Sequence, residues 1–329
     1  MEPSIRNERS FVGGSGRIST VAQRTAPGTL DPMDIAITGS SGMIGRALSE
    51  ALVARGDRVL RVVRDTPGPT EIGWKPSEGR IDVAGLEGID AVVHLAGAGI
   101  GDRRWTAAYR RELLDSRVLG TSLIATSIAD LQRPPSVLVS QSAVGFYGDR
   151  GEEVLTETSP PGEGFLPGVV RAWEAAAEPA RAAGIRVVHP RPGQVLSPDG
   201  GGLARLLPLF RLGLGGRMGS GRQWWSWISL PDQVSATLHL IDGSLDGPVN
   251  FSGPEPVRNR DFAAALGRVL RRPSVMPIPA FGPRLVVGRD LADSLLFESQ
   301  RVVPERLVRD GYEFAHPDIE TALRAVLDR

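Results

Sequence analysis

Residues 35 to 45 read Ile-Ala-Ile-Thr-Gly-Ser-Ser-Gly-Met-Ile-Gly. Short apolar residues run into three glycines spaced three apart, and an amphipathic stretch from Met43 to Val53 follows at once. Strand, glycine turn and helix in that order form a cradle for a dinucleotide pyrophosphate. Gly39 lets the chain turn, Gly42 lets phosphate approach the backbone, and Gly45 lets the helix pack close to the strand. The helix N-terminus then presents unpaired N–H groups and the positive end of its dipole. Gly39, Ser40, Ser41, Gly42, Met43, Ile44 and Gly45 are therefore the first candidate cofactor residues. The competing explanation is a tight turn with glycines used for geometry alone.

The rest of the chain extends this unit. Strand-like runs at Ile35–Thr38, Val59–Val63, Ala91–Leu95, Val137–Ser140, Val187–His189 and Val249–Phe251 alternate with helix-like runs. The helical runs are Met43–Arg55, Thr106–Asp130, Val169–Ala183, Pro231–Ile241 and Arg260–Leu270. Continuous Val/Ile/Leu strands separated by helices imply a parallel sheet covered on both faces. The fold class is α/β, a doubly wound Rossmann-like sheet spanning 33–272, with a substrate-lobe excursion over 196–230. Four prolines in 273–283 mark a linker, and 284–327 reads as a smaller, mostly helical C-terminal lobe. Residues 1–32 are rich in Ser, Gly, Arg and Thr without apolar periodicity, which fits a disordered tail or a start codon misassigned upstream of Met33. Their Arg and Ser content also suits a transit peptide, but no amphipathic face emerges.

Ligands of such folds sit beyond the carboxyl ends of the strands. The second strand ends Val63-Arg64-Asp65. A basic residue there suits the 2′-phosphate of NADP and an acidic one the ribose of NAD, so Arg64 favours NADP(H), with NAD(H) still accommodated through Asp65. The fourth strand ends His94-Leu95-Ala96-Gly97. The small residues let a cofactor lie on the backbone, and His94 reads as a packed strand histidine. The fifth ends at Ser140. Further on, Arg222, Gln223, Trp224 and Trp227 offer an aromatic wall with an anion anchor for a small-molecule substrate. The alternative places Trp225 or Trp227 in the core.

Composition narrows the classes. Formal net charge is zero, which argues against nucleic acid as the ligand of that Trp/Arg segment. The absence of cysteine excludes thiolate catalysis and thiolate-bound metal, and fits a reducing cytoplasm. Four scattered histidines suggest no metal site. No apolar run reaches the roughly 18 residues of a membrane span. Nothing in the sequence fixes an oligomeric state.

The segment Ser140-Gln141-Ser142-Ala143-Val144-Gly145-Phe146-Tyr147-Gly148-Asp149 resembles the NAD-dependent epimerase/dehydratase superfamily of extended short-chain dehydrogenases. More closely, the chain is similar to the branch labelled epimerase family or cell-division-inhibitor-like, which ends in a domain of unknown function. Blocks in the same order include Arg103-Arg104-Trp105, Asp115-Ser116-Arg117, Arg171-Ala172-Trp173-Glu174, Gly219-Ser220-Gly221-Arg222-Gln223 and Gln300-Arg301-Val302-Val303-Pro304. The resemblance implies that Pro192 and Gly193 pass the nicotinamide and that Ser142 holds a substrate oxygen. It also implies a Tyr to move the proton and a Lys four residues later to lower its pKa.

That pair is missing. The residues four after Tyr109, Tyr147 and Tyr312 are Leu113, Gly151 and His316, and the single lysine, Lys75, reads as a loop residue after the second strand. Chain order puts the expected Tyr and Lys near Leu166 and Val170. Three readings stay open: Tyr147 as a substitute acid beside Ser142, Glu163 or an arginine in that role, or dinucleotide binding without turnover. Redox or epimerase-type chemistry on a carbonyl or sugar-like substrate stands against a regulatory or scaffold protein.

Overall fold

The computed structural model describes residues 31–329. The expectations for the N-terminal tail therefore lie outside the described residues. Eight strands form the main sheet: β1 (Asp34–Thr38), β2 (Arg58–Val63), β3 (Glu71–Lys75), β4 (Arg80–Ile81), β5 (Ala91–His94), β6 (Val137–Ser140), β7 (Arg186–Pro192) and β8 (Gly247–Phe251). Their spatial order is β8-β7-β6-β5-β1-β2-β3-β4, with β4 antiparallel to β3 and every other pairing parallel. The order of strands across the sheet reverses between β1 and β5, the switch point at which doubly wound sheets bind ligands.

The helices are α1 (Met43–Arg55), α2 (Ala107–Ala129), α3 (Phe165–Ala175), α4 (Glu178–Ala182), α5 (Gly201–Arg211), α6 (Leu230–Asp242), α7 (Asn259–Leu270), α8 (Phe281–Val287), α9 (Arg289–Ala292), α10 (Glu305–Arg309) and α11 (Ile319–Val326). Alternation along β1 divides the core. Ile35 and Ile37 join Leu48 and Leu52 of α1 and Leu240 of α6 on one face. Ala36 joins Ile124 and Ile128 of α2 on the other. Both faces are buried, which is why the strands read as unbroken apolar runs.

Three expectations need correction. Lys75 does not lie in a loop: Ile72 and Trp74 pack inward, and β3 pairs with β2 in register Val62↔Ile72. Lys75 is therefore the last residue of a strand. The helix expected over 169–183 starts earlier and divides at Ala176–Ala177, because Pro179 has no N–H to give and its ring meets the carbonyl four residues back. The linker expected over 273–283 already contains the start of α8.

The C-terminal lobe is helical, as expected, and packs against the rest of the unit. Ala322 and Leu323 of α11 share a buried cluster with Leu203 and Phe210 of α5, Phe262 and Leu266 of α7, and Trp225 and Trp227. Residues 32–329 form one unit by their internal contacts. Asp232, near the start of α6, fastens the chain end further: its carboxylate accepts from the Ala315 amide at 2.8 Å and the Ser229 hydroxyl at 2.7 Å.

Candidate active site

The glycine loop has the geometry its spacing predicts. Gly39 sits at φ 69°, where a side chain is strained, and a Cβ there would lie 2.9 Å from the Ala96 amide nitrogen. At Gly45 a Cβ would lie 2.2 Å from the Gly39 carbonyl oxygen, so only glycine lets α1 seat against the loop. Gly42 is exposed and its Cβ direction meets nothing but the Gly39 oxygen, at 3.3 Å. Gly42 is the N-cap of α1, with no side-chain cap and no acid in the first turn. The first-turn N–H groups of Met43, Ile44 and Gly45 therefore have no intrahelical acceptor and point past an open glycine face. Met43 also packs under the turn at Gly200. Ser41 holds the loop by accepting from Arg46, and Ser40 by accepting from Arg61 at 3.2 Å. These residues fit a pyrophosphate.

Beyond the ends of β2 and β3 lies an open cleft of about 690 Å³ lined by Arg64, Asp65, Trp74, Lys75, Arg80 and Asp82. Arg64 is exposed directly after β2, as expected. Lys75 and Arg80 join it because β3 and β4 extend the sheet there, and Glu78 pairs with both. Sequence reasoning missed Lys75 and Arg80 as cleft residues because it missed the strands that carry them. The alternation Ile72-Gly73-Trp74 was the available signal.

On the other side of the switch point, Leu95 and Ala96 are held by the Thr38 hydroxyl, and Gly97 is exposed. His94 is wholly buried with Nδ1 2.7 Å from Thr38 Oγ1, and burial drives its pKa to about 4. It is a neutral packing residue. Ser140 is wholly buried and its hydroxyl has no partner among the described residues.

Ser142 is the centre of a network that the sequence did not disclose. Its hydroxyl donates to Glu174 Oε1 at 2.6 Å. Arg191 donates to both oxygens of the same carboxylate, at 2.7 Å each, in a two-pronged ion pair. Arg191 also donates to the Tyr147 hydroxyl at 3.1 Å, and that hydroxyl donates to Asn250 Oδ1 at 2.7 Å. Burial pushes the Glu174 carboxyl up, but the Arg191 fork and the Ser142 hydroxyl outweigh it and hold the group below its ordinary value. Glu174 is thus a carboxylate at neutral pH. With its proton committed to that carboxylate, Ser142 Oγ offers lone pairs to a ligand rather than a proton.

This network takes up the Tyr147 hydroxyl within the protein. Tyr147 has 0% and Ser142 2% of its surface exposed, and burial raises the Tyr147 pKa against the pull of Arg191 and Asn250. Leu166 and Val170, the positions of the missing relay, are buried on α3 against the turn at Gly145. Glu174 ends that same helix. It stood within one of the resembling blocks, but only the fold brings it to residues 17 and 32 positions away.

The tryptophan segment also differs from expectation. Trp227 is core, with its indole N–H donated to the Glu255 carbonyl. Gln223 is buried and gives its amide to the carbonyls of Met218 and Leu296. Arg258 and Arg301 both lie against the Trp224 ring, each 4.5 Å from its centroid. Gln223 and Trp227 therefore spend their surfaces within the protein, whereas Trp224 is half-buried and Arg222 exposed. Pro192 ends β7. A Cβ at the next residue, Gly193, would lie 2.5 Å from the Ser226 carbonyl oxygen, so a backbone contact already requires glycine there.

This geometry is shared with known proteins. The family model described as NAD dependent epimerase/dehydratase matches residues 35–250, and a domain of unknown function, DUF1731, matches residues 278–326. The chain belongs to the NAD dependent epimerase/dehydratase family. Epimerase family protein Mb2239 of Mycobacterium bovis is 44% identical over 291 residues, 88% of this chain and 96% of its own length. The crystal structure of human epimerase family protein SDR39U1 (isoform2) with NADPH is 35% identical, with a TM-score of 0.83, covering 90% of this chain and 100% of that one. A nucleoside-diphosphate sugar epimerase from Corynebacterium glutamicum is 36% identical with a TM-score of 0.74, covering 90% and 58% respectively. Among the described residues, no cluster of metal-ligating side chains occurs and no helix is long and apolar enough to cross a membrane.

Proposed function

We propose that this family member binds NADP(H) and exchanges hydride with a carbonyl, alcohol or sugar-like substrate, with the Ser142–Glu174 pair in place of the usual Tyr/Lys relay. The glycine cradle at the α1 N-terminus carries the dinucleotide half of this reading. The NADPH in the human relative's structure and the Arg64, Lys75 and Arg80 cleft support the phosphorylated form. Met43, Ile44 and Gly45 would hold the pyrophosphate, and the cations beyond β2 and β3 the 2′-phosphate. The bound cofactor would supply or accept the hydride at its nicotinamide.

The chain's own part is the proton. A substrate hydroxyl donating to Ser142 Oγ would pass its proton there as Ser142 gives its own to Glu174. The O–H bond of the substrate breaks, one forms on Glu174, and Ser142 is unchanged. The lowered pKa of Glu174 keeps it ionised and able to accept, and also makes it a weak base, so the hydride transfer has to drive the step.

A second reading, dinucleotide binding without turnover, is favoured by the apolar Leu166 and Val170 at the relay positions. One panel separates the two. Both predict that NADPH raises the melting temperature, by the equivalent of about 2.7 kcal/mol at a hundredfold excess over Kd. Both predict that Arg64→Ala weakens NADPH about tenfold and leaves NADH unchanged. Only the first predicts NADP+ reduction by some alcohol that Ser142→Ala abolishes. No thermal response to any of NAD, NADH, NADP or NADPH would overturn the cofactor reading.

A further inference from the structure

Among the described cations, Arg117 stands in an unusual place. It lies on α2, and its side chain runs along the exposed Gly97 that follows β5. A Cβ at Gly97 would lie 3.6 Å from Arg117 Cγ and Cζ and 3.7 Å from Nη1. The guanidinium is 4.9 Å from the centroid of the buried Trp173 ring on α3, so a stacked aromatic fixes its plane. Ser116, its neighbour, ties α2 to the same loop by accepting from the Ala98 amide at 3.1 Å. Gly97 and Ser142 follow strands that are paired in register His94↔Ser140. The Arg117 head is thereby held at the cleft beyond the carboxyl ends of β5 and β6.

What the guanidinium lacks is a carboxylate partner. Its one hydrogen bond among the described residues is from Nη1 to the Leu113 carbonyl, at 3.0 Å. No described carboxylate pairs with it, whereas the buried Arg191 is matched by Glu174. Burial lowers the Arg117 pKa to about 10, so the group stays charged at neutral pH with its desolvation unrepaid. A guanidinium has five N–H donors in a planar fork suited to paired oxygens, and here most are unspent.

We propose that Arg117 is an oxyanion anchor of the ligand cleft, binding either a phosphate oxygen of the dinucleotide or an anionic group, carboxylate or phosphate, of the second substrate. The two sources share one chemistry, a pair of acceptor oxygens lying over Gly97 within reach of the fork. This inference rests on the dinucleotide reading for the identity of the cleft, but its failure is separable from that of the reading.

The test uses the full chain with Arg117→Met, which keeps the length that lies on Trp173, and Arg117→Lys, which keeps the charge. NADPH affinity is measured by fluorescence titration. Inorganic phosphate is titrated by thermal shift against apo protein and against protein saturated with NADPH. If Arg117 holds the dinucleotide, Arg117→Met weakens NADPH at least tenfold, Arg117→Lys recovers part of it, and saturating NADPH removes the response to phosphate. If it holds the second substrate, NADPH affinity is unchanged, and phosphate still stabilises the NADPH-saturated wild type and Arg117→Lys but not Arg117→Met. Wild-type affinities for both probes in Arg117→Met, or in Arg117→Lys and a second neutral variant, Arg117→Gln, if the methionine variant does not fold, overturn the proposal. Wild-type protein that binds phosphate through Arg117 but not NADPH would overturn the function reading and leave the anchor standing.

Discussion

The Glu174–Arg191 pair makes the sharpest prediction. Replace Glu174 by Gln. The shape is kept, but the Arg191 guanidinium, with only 3% of its side chain exposed, loses its counter-charge. Three charge-assisted hydrogen bonds, at 2.6, 2.7 and 2.7 Å, are reduced to those one amide oxygen can accept, while the new NH₂ faces donors. Breaking one side of a buried pair costs about 3–5 kcal/mol, a large part of the ~5–15 kcal/mol that holds a protein folded. For a chain this size the melting temperature should fall by roughly 6–10 °C. Calorimetry checks this, and the double variant Glu174→Leu with Arg191→Met should regain most of the loss, because it leaves no uncompensated charge.

The pH dependence has a definite sign. The folded pKa of Glu174 lies below its ordinary value of 4.5. Its contribution is therefore full above about 4.5 and is lost as pH falls from there through the folded value. The gap between wild type and Glu174→Gln should be flat across neutral pH and close in acid. A loss under 1 kcal/mol at pH 7 would refute both the buried pair and the argument that Ser142 is fixed as an acceptor.

Three further outcomes follow from the structure. Gly45→Ala should abolish the thermal response to NADPH, since its Cβ would lie 2.2 Å from the Gly39 oxygen and force α1 away from the loop; retention of wild-type affinity by titration would refute the cradle. Tyr147→Phe should cost about 1–3 kcal/mol in denaturant unfolding by stranding Asn250 Oδ1 and Arg191 Nη1, with NADPH affinity and any turnover retained; loss of turnover in a folded variant would restore Tyr147 as a proton donor. Glu298 has its pKa raised to about 7, chiefly by burial and then by Asp149 and Asp293. A raised acid costs stability progressively as pH climbs from its ordinary 4.5 to about 7, so Glu298→Gln should melt higher than wild type at pH 8 and match it at pH 4.

The sheet was legible where strands are buried on both faces. Val137–Ser140 and Met43–Arg55 have the bounds their apolar runs suggest, because burial and periodicity carry the same information there. β3 and β4 were not legible. They lie among Pro67, Pro69, Gly73, Pro76 and Gly79, and only pairing, of β3 with β2 and of β4 with β3, makes them strands. The same division holds in the site. The glycine cradle is local, so spacing reveals it. The Ser142–Glu174–Arg191 network joins β6, α3 and β7, and no spacing rule links those positions. The three tryptophans misled because an apolar wall and an apolar core have one composition. Only the packing around Trp225, Trp227 and Phe262 tells them apart.

The cluster that joins α5, α7 and α11 has a consequence for inheritance. Two family models divide this chain near residue 278, yet the division falls within one packed interior. Cutting there would leave Phe262, Leu266 and Trp225 facing water across the gap left by Ala322 and Leu323. The two segments are thus poor candidates for independent shuffling. A substitution on either side of that boundary is felt on the other, and a change in the family's C-terminal segment can survive only if the dinucleotide-binding part accommodates it.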